Sequence, residues 1–208
     1  IYGLAQSGLL WEETHWAELI SFGWVQCTAE KCLFKREFHS TTDGTAYTAY
    51  LCTYVDNLYM GFMPDDRNRD MIIEEMNTAF ELNDLGVVTY SLSACVEQNP
   101  KARTLFLHQK PMIDDLIKRY FDGELPPIKG RAAPCTTWIT ELTPSEDKTS
   151  SETQAWETKC LSLGGRLNYI AQFTRPDIGA ALSLAMRHVS GATEQVYKAL
   201  LRIVVYLG

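Results

Sequence analysis

The chain has 208 residues, 46% of them hydrophobic and 22% charged. That is enough for one large domain or two small ones around a sizeable core, and it excludes a disordered or fibrous chain. The 19 Lys and Arg stand against 26 Asp and Glu, a formal net charge of −7, which argues mildly against nucleic acid as a partner of the chain taken whole.

In chain order, Leu9 to Phe22 has the apolar spacing of a helix and stops at Gly23, a plausible C-cap. Cys32 to Phe38 reads as a strand, and Asp43-Gly44 in the following turn-rich stretch is a hairpin signal. Thr45 to Val55 alternates, and Leu58 to Phe62 is a second apolar strand, so Asp56-Asn57 sits between two strands at two-residue hairpin spacing. After Pro64, Asp65 or Asp66 can cap a helix whose buried face is Ile72, Met76, Ala79 and Phe80. Val87 to Val96 and Thr104 to His108 flank a polar turn and make another hairpin.

Beyond that point the apolar period becomes helical. Pro111 opens a helix with Ile113, Leu116, Ile117 and Tyr120 on one face. The Pro/Gly/Thr-rich stretch from about Asp122 to Ser151 reads as a linker or extended loop. Three helices follow, with stripes Trp156/Cys160/Leu163/Leu167/Ile170, Ile178/Ala181/Leu182/Ala185/Val189 and Val196/Leu200/Ile203/Leu207. Pro176 suits the first turn of the middle one and Thr193 the cap of the last. The layout is α+β first, about residues 1–100, and mostly helical over 101–208.

Charge follows the same division. Residues 1–100 carry 5 basic and 15 acidic side chains, and residues 101–208 carry 14 and 11. The acidic part could hold metal and the basic part could lie on phosphates, while a solvated surface explains the same bias. The cysteines at 27, 32, 52, 95, 135 and 160 form no C-x-x-C and fit a reducing compartment. No apolar run approaches a membrane span. The chain opens Ile1-Tyr2-Gly3 without an initiator Met, basic leader or signal peptide, and reads as a piece of something longer.

Tyr54-Val55-Asp56-Asn57 is the segment with the most chemical promise. Asp and Asn tolerate the backbone angles of tight turns, so a turn and nothing more is one reading. The other is an acidic tip that helps hold two divalent cations about 3.5–4 Å apart for nucleotidyl transfer. Four residues do not decide between them.

An ordered set of motifs does. Tyr2-Gly-Leu-Ala-Gln-Ser7 with Trp11, the Tyr-Val-Asp hairpin, Phe80 to Gly86, Leu105 to Gln109, Gly165 to Tyr169, Thr174 to Ile178 and the closing Tyr206-Leu-Gly208 occur in that order. The set resembles the reverse transcriptase of copia-type retrotransposons nearly end to end, from its "YGLKQS" to its "RYLKG" element. The resemblance implies a right-hand polymerase, with a palm carrying the metal site and a helical thumb and connecting region behind it, the fingers missing here. It further implies RNA-directed DNA synthesis on an RNA or DNA template-primer with dNTP and Mg²⁺, or Mn²⁺ in its place. The setting would be a Gag-Pol polyprotein with a following RNase H, in the cytoplasm, a virus-like particle or the nucleus. The family's "YVDD" falls on Tyr54, Val55, Asp56 and Asn57, with Asp56 as the metal-holding carboxylate and Tyr54 as a support of the tip. Its Gln-Ser pair falls on Gln6 and Ser7, which would meet a nucleotide or template strand, or else cap a helix. Arg166, Arg175 and Arg187 are candidate phosphate contacts, although Arg175 can equally pair with Asp177.

The chain departs from the pattern in three places. Asn57 replaces the second tip Asp and loses a full negative charge, which weakens the hold on Mg²⁺. The family's other catalytic Asp lies upstream of the first motif and is absent, which leaves a two-metal site incomplete. Ala5 replaces the Lys of the first motif. The missing strand would pair beside the acidic hairpin, so the expected fragment is inactive by itself and marginally stable or self-associating. A non-catalytic remnant that binds nucleic acid or protein is the alternative.

Overall fold

A computed structural model describes residues 6–63, 67–126 and 133–208. The chain is a mixed α+β protein with antiparallel sheets, divided into two compact units, Ile1–Gly86 and Val87–Gly208. The residue-100 division suggested by the sequence falls in a turn inside the second unit.

The first unit opens with α1 (Ser7–Ser21), which turns His15 and Leu19, one turn apart, into the core. It ends as its sequence requires. Gly23 takes φ +83°, its N–H reaches the Ile20 carbonyl (2.9 Å) and the Trp24 N–H reaches that of Leu19 (3.1 Å). This glycine cap satisfies carbonyls that the helix leaves open.

Four strands follow and pair in sequence order: β1 (Val25–Gln26), β2 (Leu33–His39), β3 (Ala46–Tyr54) and β4 (Asn57–Gly61). Strand alternation puts Phe34, Phe38, Ala49 and Leu51 on one buried face, where they pack with Leu19, Trp24, Ile72 and Met76. The expected Asp-Gly turn joins β2 to β3, with Gly44 at φ +73° and the Asp43 carboxylate accepting the Thr45 N–H at 3.0 Å. α2 (Asn68–Asn77) buries Ile72 and Met76; Phe80 packs on the same core, whereas Ala79 lies past the helix end and is exposed. The proposed caps Asp65 and Asp66 lie outside the described residues. At the start of α2 the buried Asn68 amide donates to the His39 carbonyl at 2.8 Å, tying helix to sheet.

The second unit begins with β5 (Tyr90–Ser91), β6 (Ala94–Asn99) and β7 (Thr104–His108) in one antiparallel sheet. Its helices are α3 (Lys110–Phe121), α4 (Ser151–Phe173), α5 (Gly179–Met186) and α6 (Glu194–Leu207), and the stripes read from the sequence supply the core. Ser150 caps α4, its hydroxyl accepting the Thr153 N–H at 3.1 Å. Thr193 stands at the N-cap of α6 without a side-chain cap bond.

The stretch expected to be a linker is in part core. A 3₁₀ turn at Thr137–Glu141 carries Ile139, and with Leu142 it is buried among the helices, each 4% exposed. The Pro and Thr content concealed two large apolar side chains whose burial outweighs the turn propensity around them. No helix among the described residues is long and apolar enough to cross a membrane.

Candidate functional site

The hairpin tip is built by register. Leu51 pairs with Met60 and Thr53 with Leu58, and this set faces the core. Sliding the strands by one residue would turn it to solvent, so burial sets the pairing. Tyr54 is consequently opposite Asn57, and the turn consists of Val55 and Asp56. The sequence reading put Asp56-Asn57 in the turn; the observed turn lies one residue earlier, and Asn57 opens β4.

That correction changes the character of the tip. Val55 takes φ +52°, the left-handed region, in which a β-branched residue is rare. Its side chain is 69% exposed, so little packing offsets a strain on the order of 1–2 kcal/mol. Asp56 stands at the apex and is exposed, as are Tyr54 and Asn57 on either side of the ladder.

Beneath the tip lies a support the sequence did not reveal. The Trp11 indole N–H of α1 donates a long hydrogen bond, 3.3 Å, to the Val55 carbonyl. Trp11 stacks on His15 with centroids 5.4 Å apart, and His15 meets Phe80 edge-on at 4.9 Å. His15 is 4% exposed, and burial pushes its imidazole below the ordinary value, toward the neutral form. Trp24 is buried and Trp16 packs on the core, but Trp11 remains 44% exposed because it sits at the rim, under the hairpin. An aromatic so close in sequence to Gln6-Ser7 was the available signal.

Gln6 occupies the N-cap of α1, exposed, with no side-chain cap bond; its carbonyl accepts the Leu10 N–H at 3.1 Å. Ser7 is the first helical residue and half-buried. The helix that carries both therefore also carries the Trp11 contact to the tip. Ala5 lies outside the described residues.

The arginines divide. Arg175 grips Asp177 with two bonds of 2.9 and 2.8 Å, and Arg166 bonds Asp115 at 2.8 Å. Arg187 is exposed at the C-terminal end of α5.

Among the described residues no three or more His, Cys, Asp or Glu side chains cluster closely enough to hold a metal ion. The tip contributes one carboxylate, Asp56, and one amide oxygen, Asn57. That suits a share in a Mg²⁺ site whose other ligands are phosphates, water or another carboxylate, and falls short of a complete cage.

The fold and tip thus define an α+β protein that displays a single acidic side chain on a strained hairpin. The chain is similar, at 28% identity over 191 residues, to the protein named "Putative transposon Ty5-1 protein YCL074W" of Saccharomyces cerevisiae. The match covers 90% of this chain and 56% of that protein, so the chain spans little more than half the length of the curated relative. The relation is to a transposon protein, at a general level. No protein-family model matches, and no solved structure matches.

Proposed function

We propose that the chain is a segment of a copia-type retrotransposon reverse transcriptase. The first unit, with the Tyr54-Val55-Asp56-Asn57 hairpin, would be palm, and the helices of the second unit thumb and connection. What carries the reading is the placement of Asp56, the residue matched to the family's catalytic carboxylate, at the exposed apex of a two-residue hairpin. The likeness to a transposon protein over 90% of the chain supports it.

In the complete polymerase a primer 3′-hydroxyl would attack the α-phosphate of a dNTP in line and displace pyrophosphate. Bound Mg²⁺ or Mn²⁺ supplies charge stabilisation for the attacking and leaving oxygens. Asp56 would contribute a carboxylate oxygen to that site, and Asn57 a neutral and weaker one. Tyr54 would support the tip, and Gln6 and Ser7 would lie by the nucleotide or template. The segment would work with fingers and a second palm carboxylate upstream and with an RNase H downstream.

A second reading, a non-catalytic transposon-derived remnant that binds nucleic acid or protein, is favoured by Asn57 and Ala5, where the family carries charge. Primer extension by a longer chain that includes the upstream palm strand separates the two. Extension with Asn57→Asp, weaker extension with Asn57 and none after Asp56→Asn is the expected series. Extension that survives Asp56→Asn overturns the polymerase role of the tip, and extension equal with Asn57 and Asp overturns the view that Asn57 is damaging.

A further inference from the structure

We infer that Trp11 is a positioning residue for the hairpin tip: its indole holds the Val55 carbonyl and so fixes the orientation in which Asp56 is presented. Four residues at the tip, Tyr54 to Asn57, are all exposed, so side-chain packing does little to hold them. Val55 nevertheless keeps a left-handed backbone. A conformation of that kind persists where its surroundings over-determine it. Two constraints are present: the ladder below, ending at Tyr54 and Asn57, and the Trp11 N–H on the Val55 carbonyl at 3.3 Å. Trp11 is itself anchored: it stacks on the buried His15, and the His15 ring in turn meets Phe80 edge-on. A line of contacts runs from the core of the first unit to the carbonyl immediately before Asp56.

The brace stands on this geometry alone; its bearing on a metal rests on the polymerase reading. The test uses the isotopically labelled chain and nuclear magnetic resonance. In the unaltered protein the Trp11 indole proton should exchange with solvent roughly three- to tenfold more slowly than that of the comparably exposed Trp138, the factor for one net hydrogen bond. In Trp11→Phe, which keeps an aromatic ring and removes the donor, the strong intraresidue amide-to-α nuclear Overhauser effect of a left-handed Val55 should weaken. Asp56 and Asn57 resonances should shift with it, while core resonances of the same unit stay in place. Adding Val55→Gly to Trp11→Phe should restore a left-handed turn, because glycine adopts it without a Cβ penalty.

Equal exchange at Trp11 and Trp138, or an undiminished Val55 intraresidue nuclear Overhauser effect in Trp11→Phe, overturns the proposal. If Trp11→Phe does not fold, the indole exchange of the unaltered protein decides. Mn²⁺, added as a separate probe, should broaden Asp56 if the tip holds metal. Absence of broadening counts against the metal role and leaves the brace intact.

Discussion

Arg175 and Asp177, two residues apart at the turn between α4 and α5, form a two-pronged ion pair, and the same carboxylate accepts the Tyr206 hydroxyl of α6 at 2.8 Å. The guanidinium also lies 5.3 Å from the Tyr206 ring centroid. One acidic side chain thereby joins the chain reversal to the last helix. Arg175, a candidate phosphate contact by sequence, is occupied in holding the helical unit together.

The Arg175 pairing, helped by the Tyr206 bond, holds Asp177 down at about 2. A carboxylate depressed by folding adds stability that is present above its unfolded value, near 3.9, and is lost as pH falls through the folded one. The resistance of the helical unit to urea should therefore fall as pH drops from about 4 to about 2. Asp177→Asn should flatten that limb and, at neutral pH, cost about 1 kcal/mol or less, since the pair is partly exposed. An unchanged acid limb in Asp177→Asn would remove this pair from the explanation.

His15 acts in the same direction, in a higher pH window. Its lowered value means that the unfolded chain takes up a proton more readily than the folded one. Stability of the first unit is full above the unfolded value, near 6.5, and declines as pH falls below it. Thermal unfolding at pH 8 and pH 5 should show the loss in the unaltered chain and a smaller one in His15→Phe.

Val55→Gly should be neutral or stabilising by up to about 1 kcal/mol. Relief of the left-handed strain offsets the larger entropy of glycine in the unfolded chain. The urea midpoint checks this, and a marked loss would show that the Val55 side chain contributes packing despite its exposure.

Ser150→Ala removes the α4 cap and should cost about 1 kcal/mol, within the 0.5–2 range of such caps. The loss should appear in the helical unit, read by far-ultraviolet dichroism during urea unfolding. A cost near zero would mean that Asp147, whose carboxylate accepts the Ser150 N–H at 3.1 Å, closes the helix by itself.

β7 exposes Leu105, Phe106 and Leu107 in succession, at the edge of its sheet. An apolar edge without charges favours pairing with another chain. Sedimentation velocity of the isolated chain should show concentration-dependent association, and Phe106→Lys should reduce it. A single monomeric species at all concentrations would contradict the expectation.

Much of this architecture was legible in the residues alone because its signals are local. Apolar side chains at helical spacing marked α3 to α6, the run Cys32 to Phe38 marked β2, alternation marked β3, and Gly23 and Asp43-Gly44 marked a helix end and a turn, each a property of neighbours within a few positions. Asp56 could be placed near a hairpin tip for the same reason. Three features needed the tertiary structure. The turn moved to Val55-Asp56 because Leu51, Thr53, Leu58 and Met60 had to share a buried face. Ile139 and Leu142 joined the core because burying their apolar side chains among the helices outweighs the turn propensity of a stretch that looks like loop. Trp11 reached Val55 across 44 residues of sequence, a contact that no local periodicity encodes because folding alone brings that helix beneath that turn.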